Sequence, residues 1–278
     1  MSVINTNIAS IKARSNLDRV QRDMDQSIAR LSSGKRITAA RDDAAGQAIA
    51  GRMESQIRGL VMSIRHAKDG QSLVNTQEGS LQETTALLQR MRELAVQSSN
   101  GVMQDSGVAD KDYLNLEMIQ LIAEINEVGN NTRFNDTQVL TGTQFSFYHD
   151  IDVAGTQIQT VAAAATAVAL EVTIANVSIG VGSTINTSAA INRIDLAIAS
   201  VAAIRANLGA VSNRFDHIVD NLTNVVANTE ASKSRIEDAD FAVETTQLTR
   251  NTVLQQAATS MIAQSNASKN TILALIQS

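Results

Sequence analysis

A mainly α fold of long, antiparallel, coiled-coil-like helices, with a small β-hairpin region in the middle of the chain, is predicted by three features. Proline is absent from all 278 residues, so no fixed φ and no missing backbone donor interrupts a helix. Apolar residues recur in heptads over four long runs. One stretch, about 141–187, breaks that rhythm and is rich in Thr, Val, Ile, Ala and Gly.

The first heptad run is Met53, Leu60, Ala67, Val74, Leu81, Leu88 and Ala95, with Ile57 and Ile64 between and Leu87, Met91 and Leu94 beside it. A helix of that extent spans roughly 80 Å. The second run, Leu114, Met118, Leu121, Ile125 and Val128, follows the polar, Gly-containing turn Gln97–Gly107. So short a connection makes the two helices antiparallel neighbours. The third run is Ile194, Val201, Leu208, Phe215 and Leu222, with Ile204, Val211, Ile218 and Val225 in the intermediate positions. At the C-terminus Leu254, Ala258, Met261, Ser265, Ser268, Ile272 and Leu275 form a fourth seam, apolar nearly all round at its end.

The N-terminal segment has stripes of its own: Ile4, Ile8 and Ile11, then Leu17, Val20, Met24, Ile28 and Leu31. Two amphipathic chain ends are best covered by pairing with each other. In the interruption, the alternation of Leu170-Glu-Val-Thr-Ile174, followed by Val177, Ile179 and Val181, predicts short strands or hairpins.

Composition narrows the function. The chain is 44% hydrophobic and 18% charged, enough apolar content to offset the ordering cost of folding. Its aromatic share is 3%, with no Trp, poor material for lining a substrate pocket. The absence of Cys rules out disulfides and thiolate chemistry, and suits a cytosolic or an exported protein alike. A net charge of −5 gives no general attraction to nucleic acid or anionic membrane. Met1–Ile8 lacks the basic and apolar regions of a cleaved signal peptide. The most apolar stretch, 161–181, is too interrupted by Glu171, Asn176, Thr and Ser to insert in a membrane.

Catalytic and metal-binding constellations are not predicted. His66, His149 and His217 are far apart, without ligand-spaced partners. Gly34-Lys35 lacks the upstream glycine of a phosphate loop, since position 29 is Ala. The clusters Asp42-Asp43 and Glu237-Asp238-Ala239-Asp240 fit cation ligands less well than helix N-terminal acids. No cofactor is expected.

Five segments carry a family resemblance. Leu31-Ser-Ser-Gly-Lys-Arg-Ile37 with Ala40-Arg-Asp-Asp-Ala-Ala-Gly-Gln-Ala-Ile49 resembles the N-terminal signature of bacterial flagellins. Leu88-Gln-Arg-Met-Arg-Glu-Leu-Ala-Val-Gln97 is similar to the family's second signature, and Thr132-Arg-Phe-Asn135 with Val139-Leu140 to its third. Ser234-Arg-Ile-Glu-Asp-Ala-Asp-Phe-Ala-Val-Glu244 and Val253-Leu-Gln-Gln-Ala257 are similar to its closing motifs. Together these cover about 1–140 and 188–278.

The resemblance implies a structural subunit that polymerises into the helical flagellar filament, exported without a cleaved signal peptide. It implies an inner-tube domain, 1–42 with 236–278, and a rod-like outer-tube domain, 43–235, with the β-rich insertion at about 141–187. Polymer contacts then fall on Ile4, Ile8, Ile11, Leu31, Arg36, Leu254, Met261, Ile272 and Leu275. Partners implied are other copies of the chain, an export chaperone, and the filament cap and hook-junction proteins. Toll-like receptor 5, which recognises the second signature in many flagellins, would meet Arg90, Leu94 and Glu117. Family members often carry a Pro where Lys269 stands, so a continuous C-terminal helix is expected here. Thr38-Ala-Ala40 also departs from the usual residues, at a turn. A hook–filament junction protein, an enzyme carried on the filament surface and a cytoplasmic regulatory coiled coil are the competing readings. The insertion is too short for an independent catalytic core.

Overall fold

The computed structural model describes residues 6–100, 110–148, 157–160, 163–180 and 186–277, with side chains described as far as Ser268. Six helices account for most of them: α1 (Ile8–Ser33), α2 (Ala44–Ser98), α3 (Asp110–Asn131), α4 (Ile174–Val177), α5 (Thr187–Glu237) and α6 (Phe241–Gln277). Four short strands pair as two antiparallel hairpins, β1 (Arg133–Phe134) with β2 (Thr137–Gln138) and β3 (Ser146–Tyr148) with β4 (Gln157–Gln159). The mainly α class with a small hairpin region is the one the heptads predict. The chain divides into two compact units, Met1–Ile57 with Ala227–Ser278, and Arg58–Val226.

The Arg58–Val226 unit holds the large core. Leu81, Leu88, Met91 and Leu94 of α2, Met118 and Ile125 of α3, and Ile194, Val201, Leu208 and Phe215 of α5 are fully buried together. The first and third heptad runs thus face inward, while the third fades at Leu222, half-buried, and Val225, 41% exposed. Ion pairs on the flanks set an antiparallel α2/α5 register: Arg92 with Asp195 at 2.7 Å, and Arg205 with Glu78 at 2.7 Å. Helix α5 is long and apolar enough by composition to cross a membrane. Its apolar stripe, from Ala190 to Phe215, is instead part of this core.

The strands lie elsewhere than the alternation suggests. Thr132-Arg-Phe-Asn135 opens the β1–β2 hairpin, whose turn residues Asn135 and Asp136 both have positive φ, 49° and 63°. That is the two-residue geometry favoured by the twist of paired strands, and Asn and Asp tolerate it. In β3–β4, Phe147 lies opposite Ile158. Leu170–Ile174 is not a strand. The N–H groups of Leu170, Glu171 and Val172 donate to the carbonyls of Thr166, Val168 and Ala167, closing a local turn with Glu171 at φ 57°. Leu170 and Val172 are buried by that turn, which uses the donors of residues 170–172 locally and not in a sheet. Ile179 is also buried without strand pairing, held by its N–H to Asn115 Oδ1 at 3.1 Å; Val181 lies outside the described residues.

Helix capping accounts for one acid of each cluster. Asp43 Oδ1 accepts the Gly46 N–H at 2.8 Å and so caps α2. Asp240 Oδ1 accepts the N–H groups of Ala242 and Val243 at 2.9 and 3.2 Å and caps α6. Each carboxylate satisfies orphan donors where the helix dipole favours negative charge. Helix α6 runs unbroken past Ser268 and Lys269, as expected without proline.

Candidate assembly interface

In the unit containing both chain ends, α1 and α6 pack along each other in antiparallel register. Asn7 Nδ2 donates to the Ser265 carbonyl at 3.3 Å, Gln255 Nε2 donates to Gln21 Oε1 at 2.7 Å, and Arg30 Nη1 meets Glu244 Oε1 at 2.9 Å. At the base, the Arg36 N–H donates to the Glu237 carbonyl at 2.7 Å, and the Ala239 N–H to the Gly34 carbonyl at 2.9 Å. Gly34 makes this close approach possible: at φ 68° it ends α1 in a left-handed cap, with its N–H on the Arg30 carbonyl at 2.8 Å. The signature Leu31–Ile37 therefore turns the chain and ties it to the segment before α6.

The seam is a coiled-coil seam with polar insertions. On α1 the inward positions are Ala13, Leu17, Val20, Met24, Ser27 and Leu31. On α6 they are Glu244, Leu248, Asn251, Gln255, Ala258, Ile262 and Ser265, alternating four and three. Ser27, Glu244 and Asn251 are among the most buried residues of the pair.

This corrects the predicted C-terminal seam. Ala258 and Ser265 face inward as predicted, but Leu254 and Met261 point outward, 45% and 64% exposed, and the neighbouring Gln255 and Ile262 take their places. Ile28, predicted in the α1 stripe, is exposed in the same way, and Ser27 takes its place. Ile8 and Ile11 are also exposed, at 57% each, as are Phe241, Val243 and Val253. Leu31 is half-buried, and Arg36 is exposed, donating from Nη2 to the Ile236 carbonyl at 2.6 Å. Ile4 and the side chains of Ile272 and Leu275 lie outside the described residues. The pair thus combines a partly polar seam with large apolar side chains left uncovered among polar and charged ones on its outer faces.

Between α1 and α2 the turn is organised by Asp42. Its Oδ2 accepts the Thr38 hydroxyl at 2.9 Å and the N–H groups of Thr38 and Ala39 at 3.2 Å each. Gln26 of α1 donates to Oδ1 at 3.2 Å. The Thr38 hydroxyl is the main cause that holds this carboxyl below its ordinary 3.8; partial desolvation opposes it, and the two N–H groups and Arg41 add to it. Since the folded-state value is the lower one, the stabilisation is complete above about pH 4 and is lost as pH falls through the depressed value. Asp42→Asn is expected to flatten the acid limb of a helicity-against-pH curve; an unchanged limb counts against this role.

The second signature lies in the Arg58–Val226 unit. Arg90 Nε meets Glu117 Oε1 at 2.8 Å across α2 and α3, and Arg90 Nη1 meets Glu93 Oε2 at 3.0 Å. These side chains are about half exposed. Leu94 is fully buried, so it supports the helix from inside and presents nothing to a surface partner. Among the described residues no group of three or more His, Asp or Glu is placed to hold a metal ion.

Paired helical chain ends tied by a signature turn, with large apolar side chains left uncovered, and a separate buried helical core are features of a self-assembling structural subunit. Residues 4–145 match the family model of the bacterial flagellin N-terminal helical region, and residues 191–276 that of the C-terminal helical region. A flagellin of Halalkalibacterium halodurans is 37% identical over 99% of this chain and 100% of its own length. A flagellar filament core protein of Brachyspira hyodysenteriae is 36% identical with the same coverage. The crystal structure of Bacillus cereus flagellin is 28% identical, covering 59% of this chain and 94% of that one with a TM-score of 0.48. The chain belongs to the bacterial flagellin family. It is a structural subunit that self-assembles into the flagellar filament, the helical propeller of swimming bacteria, outside the cell.

Proposed function

We propose that the chain ends, 1–42 with 236–278, form the inner tube of the filament, and that residues 43–235 form the outer tube. The observation that carries this is the set of large apolar side chains left uncovered on the α1/α6 pair, Ile8, Ile11, Leu254 and Met261 among them. Residues 251–278 carry only Lys269 as a charge, which suits burial among neighbouring copies. The subunit has no catalytic role. It leaves the cell unfolded through the family's export channel without a cleaved signal peptide, escorted by an export chaperone, and joins a polymer that begins on hook-junction proteins and ends at a cap. Removal of Asn251–Ser278 is expected to leave a soluble helical rod that sediments as a monomer and does not extend filament seeds. Seed extension by that truncated chain would overturn the assignment.

Recognition by Toll-like receptor 5 is proposed on Arg90 and Glu117, which form an accessible charged pair on α2 and α3. Leu94 contributes only by keeping α2 in place. Arg90→Ala should lower receptor-reporter activation by roughly tenfold or more at unchanged helicity; unchanged activation would remove the residue from the contact.

A further inference from the structure

The seam between α1 and α6 buries polar and charged side chains, Ser27, Glu244 and Asn251 among them, at positions where a helix pair ordinarily places apolar ones. Arg30 and Glu244 meet at 2.9 Å with side chains 24% and 8% exposed, and Gln21 and Gln255 meet at 2.7 Å. Apolar area alone does not fix the rotation of α6, since Leu248 and Ile262 face α1 while Leu254 and Met261, of similar size, lie outside. A buried ion pair adds little net stability over apolar residues of the same size, yet separating its members leaves an uncompensated charge. Such contacts discriminate between arrangements more than they stabilise any one. Polar side chains at seam positions specify coiled-coil register in the same way, at a cost in stability. Sliding α6 by one heptad would set Arg30 against Asn251 and Gln21 against Ile262, and strand Glu244 without its cation.

We propose that Arg30–Glu244 and Gln21–Gln255 are a register key for assembly. They decide which face of α6 meets α1 and at what offset, and so keep Leu254 and Met261 directed at a second copy of this chain. The inference rests on the reading of those outer faces as subunit contacts.

The test uses the full-length chain, which has no cysteine of its own. Asn7→Cys with Ser265→Cys places a thiol pair where the two side chains are hydrogen-bonded at 3.1 Å, at the far end from the key. In seeded filaments treated with a mild oxidant such as oxidised glutathione, the chain with only these two cysteines should form a disulfide within one subunit. Leucine at all four key positions should reduce the linked fraction roughly threefold or more, with a parallel loss of filament yield. Arg30→Glu alone should do the same, and adding Glu244→Arg should restore both readouts. Retention of the link with four leucines, failure of the exchange to restore it, or loss of the link at full filament yield each overturns the key. The reading of the outer faces fails separately, if replacing Leu254 and Met261 leaves seed extension intact.

Discussion

Replacing Leu254 and Met261 together with Ser leaves a folded rod that polymerises only at much higher concentration. Both side chains are exposed in the subunit, at 45% and 64%, so the substitutions remove little that holds a single copy together. In the polymer each would be covered by a neighbour. Burying the exposed part of a Leu or Met is worth about 0.75–1.5 kcal/mol, half the value for a whole side chain. Two such losses per subunit raise the critical concentration for seed extension by roughly 10–150-fold. Sedimentation of seeded reactions over a concentration series measures this directly. A critical concentration within twofold of the parent would show that these residues do not face another subunit.

The same two residues mark where sequence reasoning succeeds and where it stops. The α2 and α5 stripes are legible because each has one apolar face and one core to fill, so Leu81, Leu88, Val201 and Phe215 are buried as their spacing requires. Helix α6 has apolar residues around most of its surface, Leu248 and Ile262 toward α1 and Val253, Leu254 and Met261 away from it. Following the apolar stripe therefore selects the outward positions Leu254 and Met261. The stripe that faces α1 hides behind Glu244, Asn251 and Gln255, which an apolar filter discards. The predicted seam is itself a four-three alternation and shares Ala258 and Ser265 with the observed one, so the period alone does not choose between the two phases. The strand expectation at Leu170–Ile174 failed for a different reason. Period-two burial of Leu170 and Val172 is real, but a left-handed Glu171 produces it inside a turn. Leu94, matched to a receptor signature, is placed by the core heptad, and its burial follows from that heptad alone.

Phe215→Ala should be among the most destabilising single substitutions in the Arg58–Val226 unit. The ring is fully buried and packs edge-on against Phe147 of β3, with centroids 5.8 Å apart and planes at 85°. Few aromatics exist in this chain to share that burial, so truncation opens a cavity that aliphatic neighbours fill only in part. Loss of about 3–5 kcal/mol is expected, from transfer and cavity terms together. The same contact makes Gly70 of α2 indispensable. A Cβ there would lie 2.6 Å from Phe215 Cζ and 3.1 Å from Phe147 Cγ, so both rings must shift to admit it. Gly70→Ala therefore costs about 1–3 kcal/mol by overpacking, although alanine is the better helix former. Gly209 of α5 is a control, since a Cβ there meets nothing within 4 Å. Gly209→Ala should stabilise by about 0.5–1 kcal/mol through helix propensity alone. Denaturant unfolding of the three variants in the subunit lacking Asn251–Ser278 separates them by sign and size. Equal effects of the two glycine substitutions would refute the packing assigned to Phe215, because backbone propensity is the only property those two sites share.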